Sequence, residues 1–247
     1  MLFDGDKPVE EGVGLPFPAA DRTICCATGE IDADLQKALP RNRLTFGSPL
    51  VADLGSPHLQ SQASVHLSPF TFHLSPSSHH HLPIAIDYLT PHTLGPDRVA
   101  AACGAWKRHG GEACVIVDAG TCITLDWLDG DGVYHGGAIL PGLEMKFRAL
   151  HTFTAKLPLL ENEVPHPLPV TGRTTQESMQ AGVLTATRYA IEGFVAHYRR
   201  QCTAAHLLLT GGDATHLQAL GGTLATDGEY EPNLVMIGLN EILKQND

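Results

Sequence analysis

Four short stretches of this 247-residue chain hold residue types suited to chemistry on a phosphate or a hydroxyl. Asp118-Ala119-Gly120-Thr121 lies between two apolar runs, which places it at the tip of two strands. Glycine there lets backbone N–H groups approach an anion, and the carboxylate can hold a cation beside it. A plain hairpin turn accounts for Asp-x-Gly equally well. Asp97 falls in the first turn of a helix, where free N–H groups suit a carboxylate, and it can take a proton or a hydrogen bond from a substrate hydroxyl. Arg98 beside it can clamp a carboxylate. The plainer alternative is a helix cap at Asp97 and a surface ion pair at Arg98. Thr210-Gly211-Gly212-Asp213-Ala214 ends an apolar strand, and its paired glycines either leave bare backbone for a flat ring such as adenine or simply make a tight turn. Thr175 can donate to a substrate carbonyl or serve as a helix-start residue. His66, His73 and His79-His80-His81 are donors of the kind that bind Zn²⁺ or Ni²⁺. No Cys or carboxylate stands at ligand-like spacing among them, so a solvated loop is the reading.

The elements that must position these residues are legible from Leu82 onward. Pro83 to Tyr88 reads as a strand, and Leu94-Gly95-Pro96-Asp97-Arg98 opens a helix that runs to Lys107-Arg108-His109 before Gly110-Gly111. Three apolar runs follow, Ala113 to Val117, Thr121 to Leu128 and Val133 to Ile139, and the simplest arrangement is a three-strand meander. After Pro141-Gly142, the spacing of Leu143, Phe147 and Leu150 predicts a helix. A longer helix is predicted from about Thr175 to Arg200, with Thr174 and Glu177 as a capping box and Met179, Val183, Ala186, Ala190 and Phe194 as its buried stripe. Leu207 to Thr210 reads as a buried strand, and Leu234 to Leu243 as a closing amphipathic helix. Ahead of Leu82 the pattern is weaker: a short strand at Thr23 to Ala27, a short helix at Asp32 to Leu39, and a His/Ser/Pro-rich segment from Ser56 to His81 that reads as a loop or insertion. The whole is an α/β pattern with mixed sheets.

Composition narrows the function classes. A formal charge of −11, with 27 acidic against 16 basic residues, repels a nucleic-acid backbone, so no nucleic acid is expected as a partner. The six cysteines show no C-x-x-C spacing and suit a reduced cytoplasm. The first residues lack the basic start and apolar core of a signal peptide, and no apolar run approaches the ~18 residues of a membrane span, so no membrane partner is expected.

Taken in order, Tyr88-Leu89-Thr90-Pro91, Leu94-Gly95-Pro96-Asp97-Arg98, Asp118-Ala119-Gly120-Thr121, Gly136-Gly137-Ala138-Ile139-Leu140-Pro141-Gly142, Leu157-Pro158, Gly172-Arg173-Thr174-Thr175 and Thr210-Gly211-Gly212-Asp213-Ala214 form a series that resembles the type III pantothenate kinases. The closing Pro232 to Leu239 resembles that family's last segment too. The resemblance implies a two-lobed actin-like, ribonuclease H-like ATPase fold, with a lobe at residues 1–109 and another at 110–247, and a homodimer. It implies ATP and pantothenate as substrates, K⁺ or NH₄⁺ as a cofactor, and Mg²⁺ brought by ATP. Asp97 would be the catalytic base, Gly95, Pro96 and Arg98 would complete the pantothenate-binding turn, and Tyr88 and Thr175 would touch pantothenate. Asp118 would hold the monovalent cation, Gly120 and Thr121 would reach the ATP phosphates, and Gly211 and Gly212 would border the adenosine.

One family feature is not found in these 247 residues. Family members open with a strand ending in an Asp-x-Gly-Asn-Thr phosphate loop, whereas Met1 to Lys7 resembles the second strand and turn that follow it. The expectation is therefore that phosphate positioning fails from one side and that the chain as numbered has little kinase activity. The rival reading keeps the fold without catalysis, as a pantothenate- or nucleotide-binding regulator; another sugar or acid kinase of the same fold is a third.

Overall fold

The computed structural model describes residues 81–246 and, ahead of them, the backbone of five short strands. The chain divides into two compact units: Met1–Pro83, Tyr88–Gly104 and Val235–Asp247 form one, and Ile84–Asp87 with Ala105–Leu234 the other.

In the first unit, β1 (Leu2–Asp4) and β2 (Lys7–Glu10) form an antiparallel pair. Strands β3 (Thr23–Ala27), β4 (Arg43–Gly47) and β5 (Thr71–Phe72) form a parallel sheet, and β3 occupies the residues at which a strand is predicted. The predicted helix at Asp32 to Leu39 and, apart from the two residues of β5, the His-rich segment before His81 lie outside the described residues. A 3₁₀ turn, Pro91–Thr93, leads into α1 (Pro96–Arg108), which starts on proline, where a missing N–H costs nothing, and stops on Lys107 and Arg108. α1 packs closely on the C-terminal helix, Leu234–Gln245: a Cβ on Gly238 would lie 1.7 Å from the Ala100 carbonyl oxygen, so only glycine permits this approach.

The second unit is built on one six-stranded sheet. Its strands are β6 (Ala85–Ile86), β7 (Cys114–Ala119), β8 (Cys122–Leu128), β9 (Val133–Pro141), β10 (His206–Thr210) and β11 (Gly228–Tyr230), in the order β11-β10-β7-β8-β9-β6. The predicted meander is present, since β7, β8 and β9 pair antiparallel in sequence order. β10 and β11 then add parallel to β7 on its other side. The strand predicted over Pro83 to Tyr88 shortens to two residues. Pro83 has no N–H to give to a ladder, and the last bond to β9 runs from the Asp87 N–H to the Tyr134 carbonyl at 2.9 Å.

Helices α2 (Leu143–Thr152), α3 (Thr175–Gln180), α4 (Ala186–Arg199), α5 (Ala214–Ala219) and α6 (Thr223–Thr226) complete this unit. Its core joins Val115, Val117, Leu125, Phe147, Leu184, Ile191, Leu207 and Leu209, all nearly free of solvent. Burial of each such side chain stabilises the fold by roughly 1.5–3 kcal/mol.

The predicted helix from Thr175 to Arg200 is continuous but not uniform, because a π-helical segment, Ala181–Thr185, joins α3 to α4. That segment corrects the predicted stripe. A π-turn inserts one extra residue, so beyond Val183 the buried positions become Thr187, Ile191 and Val195, one residue later than Ala186, Ala190 and Phe194. Ala186 is exposed, and Phe194 is only partly buried. The capping box forms as predicted at its centre: Thr174 Oγ1 accepts from the Glu177 N–H at 3.1 Å, while Glu177 Oε2 accepts from the Arg173 N–H at 2.6 Å.

Candidate active site

Asp118 and Thr210 are register partners at the carboxyl ends of the adjacent parallel strands β7 and β10. In open α/β sheets this is the end at which ligands bind, because the turns leaving the strands converge there with free backbone groups. The apolar residues of β7 alternate into the core on both faces, so the first polar position, Asp118, marks where the strand leaves it.

Three turns meet at that sheet end. The β7–β8 turn is a tight hairpin, with the Gly120 N–H donating to the Cys122 carbonyl at 2.9 Å, as the plainer reading of Asp-x-Gly has it. The turn after β9 locks onto it: the Gly142 N–H donates to the Thr121 carbonyl at 3.0 Å, and Gly142 then begins α2. The turn after β10 approaches from the other side, where the Asp213 N–H donates to the Ala119 carbonyl at 2.9 Å. Gly211 has a φ of +87°, and a Cβ there would stand 2.3 Å from the Ala119 oxygen and 2.4 Å from Asp118 Oδ1. Glycine is thus required twice over, by conformation and by contact. Gly120 and Gly212 have open space where a side chain would stand, so their backbone is bare.

The structure therefore brings together Asp118, Gly120, Thr121, Gly211 and Gly212, five of the residues singled out in the sequence. Around Gly120, Thr121 and Asp213 opens a depression of about 360 Å³, whose other wall is formed by Glu144, Met145 and Arg148 of α2. Sequence reasoning missed that wall. The available signal was the Pro141-Gly142 helix start, which fixes the first two turns of α2 beside any ligand of the β7–β8 turn. Lys146 of the same helix is half-buried and donates to Thr187 Oγ1 at 2.6 Å, and desolvation holds its pKa below the usual lysine range.

Thr175 opens α3 and is exposed, and the cap is Thr174, so the Thr175 hydroxyl is not used as a cap. In the first unit, Gly95, Pro96, Asp97 and Arg98 form the start of α1, with Tyr88 three residues before the 3₁₀ turn. Asp97 Oδ1 accepts from the Arg98 N–H at 2.9 Å, and a Cβ on Gly95 would lie 2.5 Å from the same oxygen, so the carboxylate is folded over its own turn. Arg98 is 7% exposed, which rules out the surface ion pair offered as its plainer reading. Among the described residues no group of three or more His, Cys, Asp or Glu side chains is arranged to hold a metal ion. No described helix is long and apolar enough to cross a membrane.

Known proteins resemble this chain along most of its length. A family model for type III pantothenate kinase matches residues 25–197. The type III pantothenate kinase of Cytophaga hutchinsonii is 44% identical over 170 residues, 69% of this chain and 70% of that protein. That of Christiangramia forsetii is 34% identical over 238 residues, 96% of this chain and 84% of that protein. A solved structure from Campylobacter jejuni, described as a Baf family transcriptional activator, aligns with a TM-score of 0.50 at 26% identity over 66% of this chain and 68% of that one. The mixed α/β architecture of this chain and its likeness to that structure agree with the actin-like class implied by the motif series. A family model that covers more than half of the chain and a relative aligned along nearly all of it agree with the turns gathered at the sheet end: this chain belongs to the type III pantothenate kinase family.

Proposed function

We propose that this chain transfers the γ-phosphoryl group of ATP to the hydroxyl of pantothenate, giving 4′-phosphopantothenate, the first step of coenzyme A biosynthesis. The observation that carries this reading, in a chain of this family, is the meeting of Asp118–Thr121, Gly142 and Gly211–Asp213 at one end of the sheet. Phosphoryl transfer asks a protein mainly for in-line positioning and for cancellation of charge, and three interlocked turns suit the first demand.

Thr121 reaches the ATP phosphates, for which Gly120 beside it leaves open space, and Gly211 and Gly212 border the adenosine. Asp118 holds K⁺ or NH₄⁺, a reading supported by its carboxylate, an oxygen ligand of the kind hard cations take, which lies against the Gly211 backbone at the mouth of the three turns. That cation, when bound, offsets phosphate charge, as does the Mg²⁺ that ATP carries. Asp97 orients or deprotonates the pantothenate hydroxyl, supported by its place in the first turn of α1 with one carboxylate oxygen beside Gly95. Gly95, Pro96 and Arg98 shape that turn, and Tyr88 and Thr175 contact pantothenate. The protein works in the cytoplasm as a homodimer; exposed Ile139, Phe153 and Val170 on the second unit supply apolar surface for such an association.

The test is an acceptor panel: label transfer from ATP to pantothenate, pantetheine and simple sugars by the protein. Transfer to pantothenate alone is expected. Transfer to sugars alone, or to nothing, overturns the reading.

A further inference from the structure

The depression beside Gly120 and Thr121 has an unbalanced wall. Of its six lining residues, Glu144 and Asp213 are acidic and Arg148 alone is basic, in a chain whose formal charge is −11. A phosphate entering there meets two carboxylates, with that of Asp118 in the adjoining turn. Any charge attraction for phosphate that these side chains supply must come from Arg148.

Arg148 is placed to supply it. It lies one helical turn after Glu144 on α2, and its guanidinium stands 3.6 Å from the Glu144 carboxylate, beyond a good hydrogen bond. Both side chains are largely exposed, at 69% and 72%, and an exposed i,i+4 pair of this kind is held weakly. A phosphate offers the same guanidinium a bidentate, charge-assisted pair, which is stronger and matches its fork geometry. α2 itself is fixed against the site, because the Gly142 N–H is bonded to the Thr121 carbonyl at the foot of the helix. Arg148 therefore swings from a rigid base, and only its side chain has to move.

We infer that Arg148 is a nucleotide-positioning residue, which exchanges its ion pair with Glu144 for a phosphate of the nucleotide bound at Gly120 and Thr121. The inference rests on the reading of that end of the sheet as the nucleotide site. Glu144 holds the arginine near the mouth in the free protein and opposes the phosphate in the bound one. The two residues thus act in opposite directions: removing Arg148 weakens phosphate-bearing nucleotides, and neutralising Glu144 tightens them.

Titration calorimetry on the 247-residue protein tests this with ADP, adenosine and 4′-phosphopantothenate. Arg148→Ala is expected to weaken ADP by about 10-fold or more, the scale of a lost charge-assisted pair, and to leave adenosine unchanged. Arg148→Lys should recover part of the loss, and Glu144→Gln should tighten ADP several-fold, with both effects shrinking in high salt. Circular dichroism confirms folding, which substitution at so exposed a position should not disturb. Unchanged ADP affinity in Arg148→Ala, an equal loss for adenosine, a loss confined to 4′-phosphopantothenate, or no ADP binding by the unsubstituted protein would each overturn the inference. ADP binding that depends on Arg148, in a protein that fails the acceptor panel, would retain this inference and reject the kinase reading.

Discussion

Gly211 shows how narrowly the site residues are constrained. Replacing it by alanine puts a methyl group into the Ala119 carbonyl and the Asp118 carboxylate, at a φ that L-residues avoid. Gly211→Ala is expected to cost roughly 1–3 kcal/mol in urea unfolding and to raise the KM for ATP; a protein of unaltered stability would contradict the geometry. In the proposed reaction Asp97 has the chemical role. Asp97→Asn should lower kcat by about 100-fold or more, the usual scale for a lost general base, while pantothenate still binds in calorimetry. Normal turnover would remove Asp97 from the mechanism. At this scale much was legible in advance. Asp118, Gly120 and Thr121 stand between apolar strands that end abruptly, and the double glycine at 211 and 212 follows an unbroken apolar run. Arg148 and Glu144 were not legible, because an exposed i,i+4 pair on a helix reads as surface until the helix is seen to form one wall of a cavity. The plainer reading of Arg98, a surface ion pair, fails for a related reason: charge suggested solvent, and burial was decided by packing that sequence does not display.

The helices and strands follow from local signals where those signals are complete. α1 has proline at its start and basic residues at its end, α3 has the Thr174 cap, and each begins where predicted. Thr174→Ala removes the bond to the Glu177 N–H and should cost about 1 kcal/mol in urea unfolding; a loss near zero would mean that the cap is redundant. The stripe on α4 failed at all three of its positions, for a single reason. The π-segment at Ala181–Thr185 shifts the register by one residue, and such a bulge has no signature in a pattern read at 3.6 residues per turn. A second element-scale test lies at the β8–β9 turn, where His135 bridges Asp129 at 2.7 Å and Asp87 at 3.2 Å and so joins the turn to the end of β6. The hydrogen bond to Asp129 raises the His135 pKa, reinforced by Asp87 and opposed by partial burial. A raised folded-state value means that the bridge stabilises fully below the unfolded value near about 6.5, and that its contribution is lost as pH rises through the folded value. His135→Ala should therefore lower Tm more at about pH 5.5 than at about pH 9. Equal losses at both would show that the bridge does not depend on charge.

At the scale of the molecule, the second unit explains why short, individually weak motifs fall in one order along the chain. β7, β8 and β9 follow one another in sequence, and β10 returns from the far side of a long helical excursion to pair with β7. That return puts Thr210 beside Asp118 and so creates the site. The meander could be read from apolar runs and turns, but the parallel pairing could not, since it rests on contacts between segments far apart in sequence. The central claim is phosphoryl transfer to the hydroxyl of pantothenate, with Asp97 as the base and a cation at Asp118. Its most direct test is mass spectrometry of pantothenate incubated with γ-labelled ATP and the protein, in K⁺ and in a K⁺-free buffer, alongside Asp97→Asn. The account predicts one labelled phosphoryl group on the 4′-oxygen, formed only with K⁺ or NH₄⁺ and lost in Asp97→Asn. A product labelled elsewhere, or formed equally well without the cation and without the carboxylate, would contradict it.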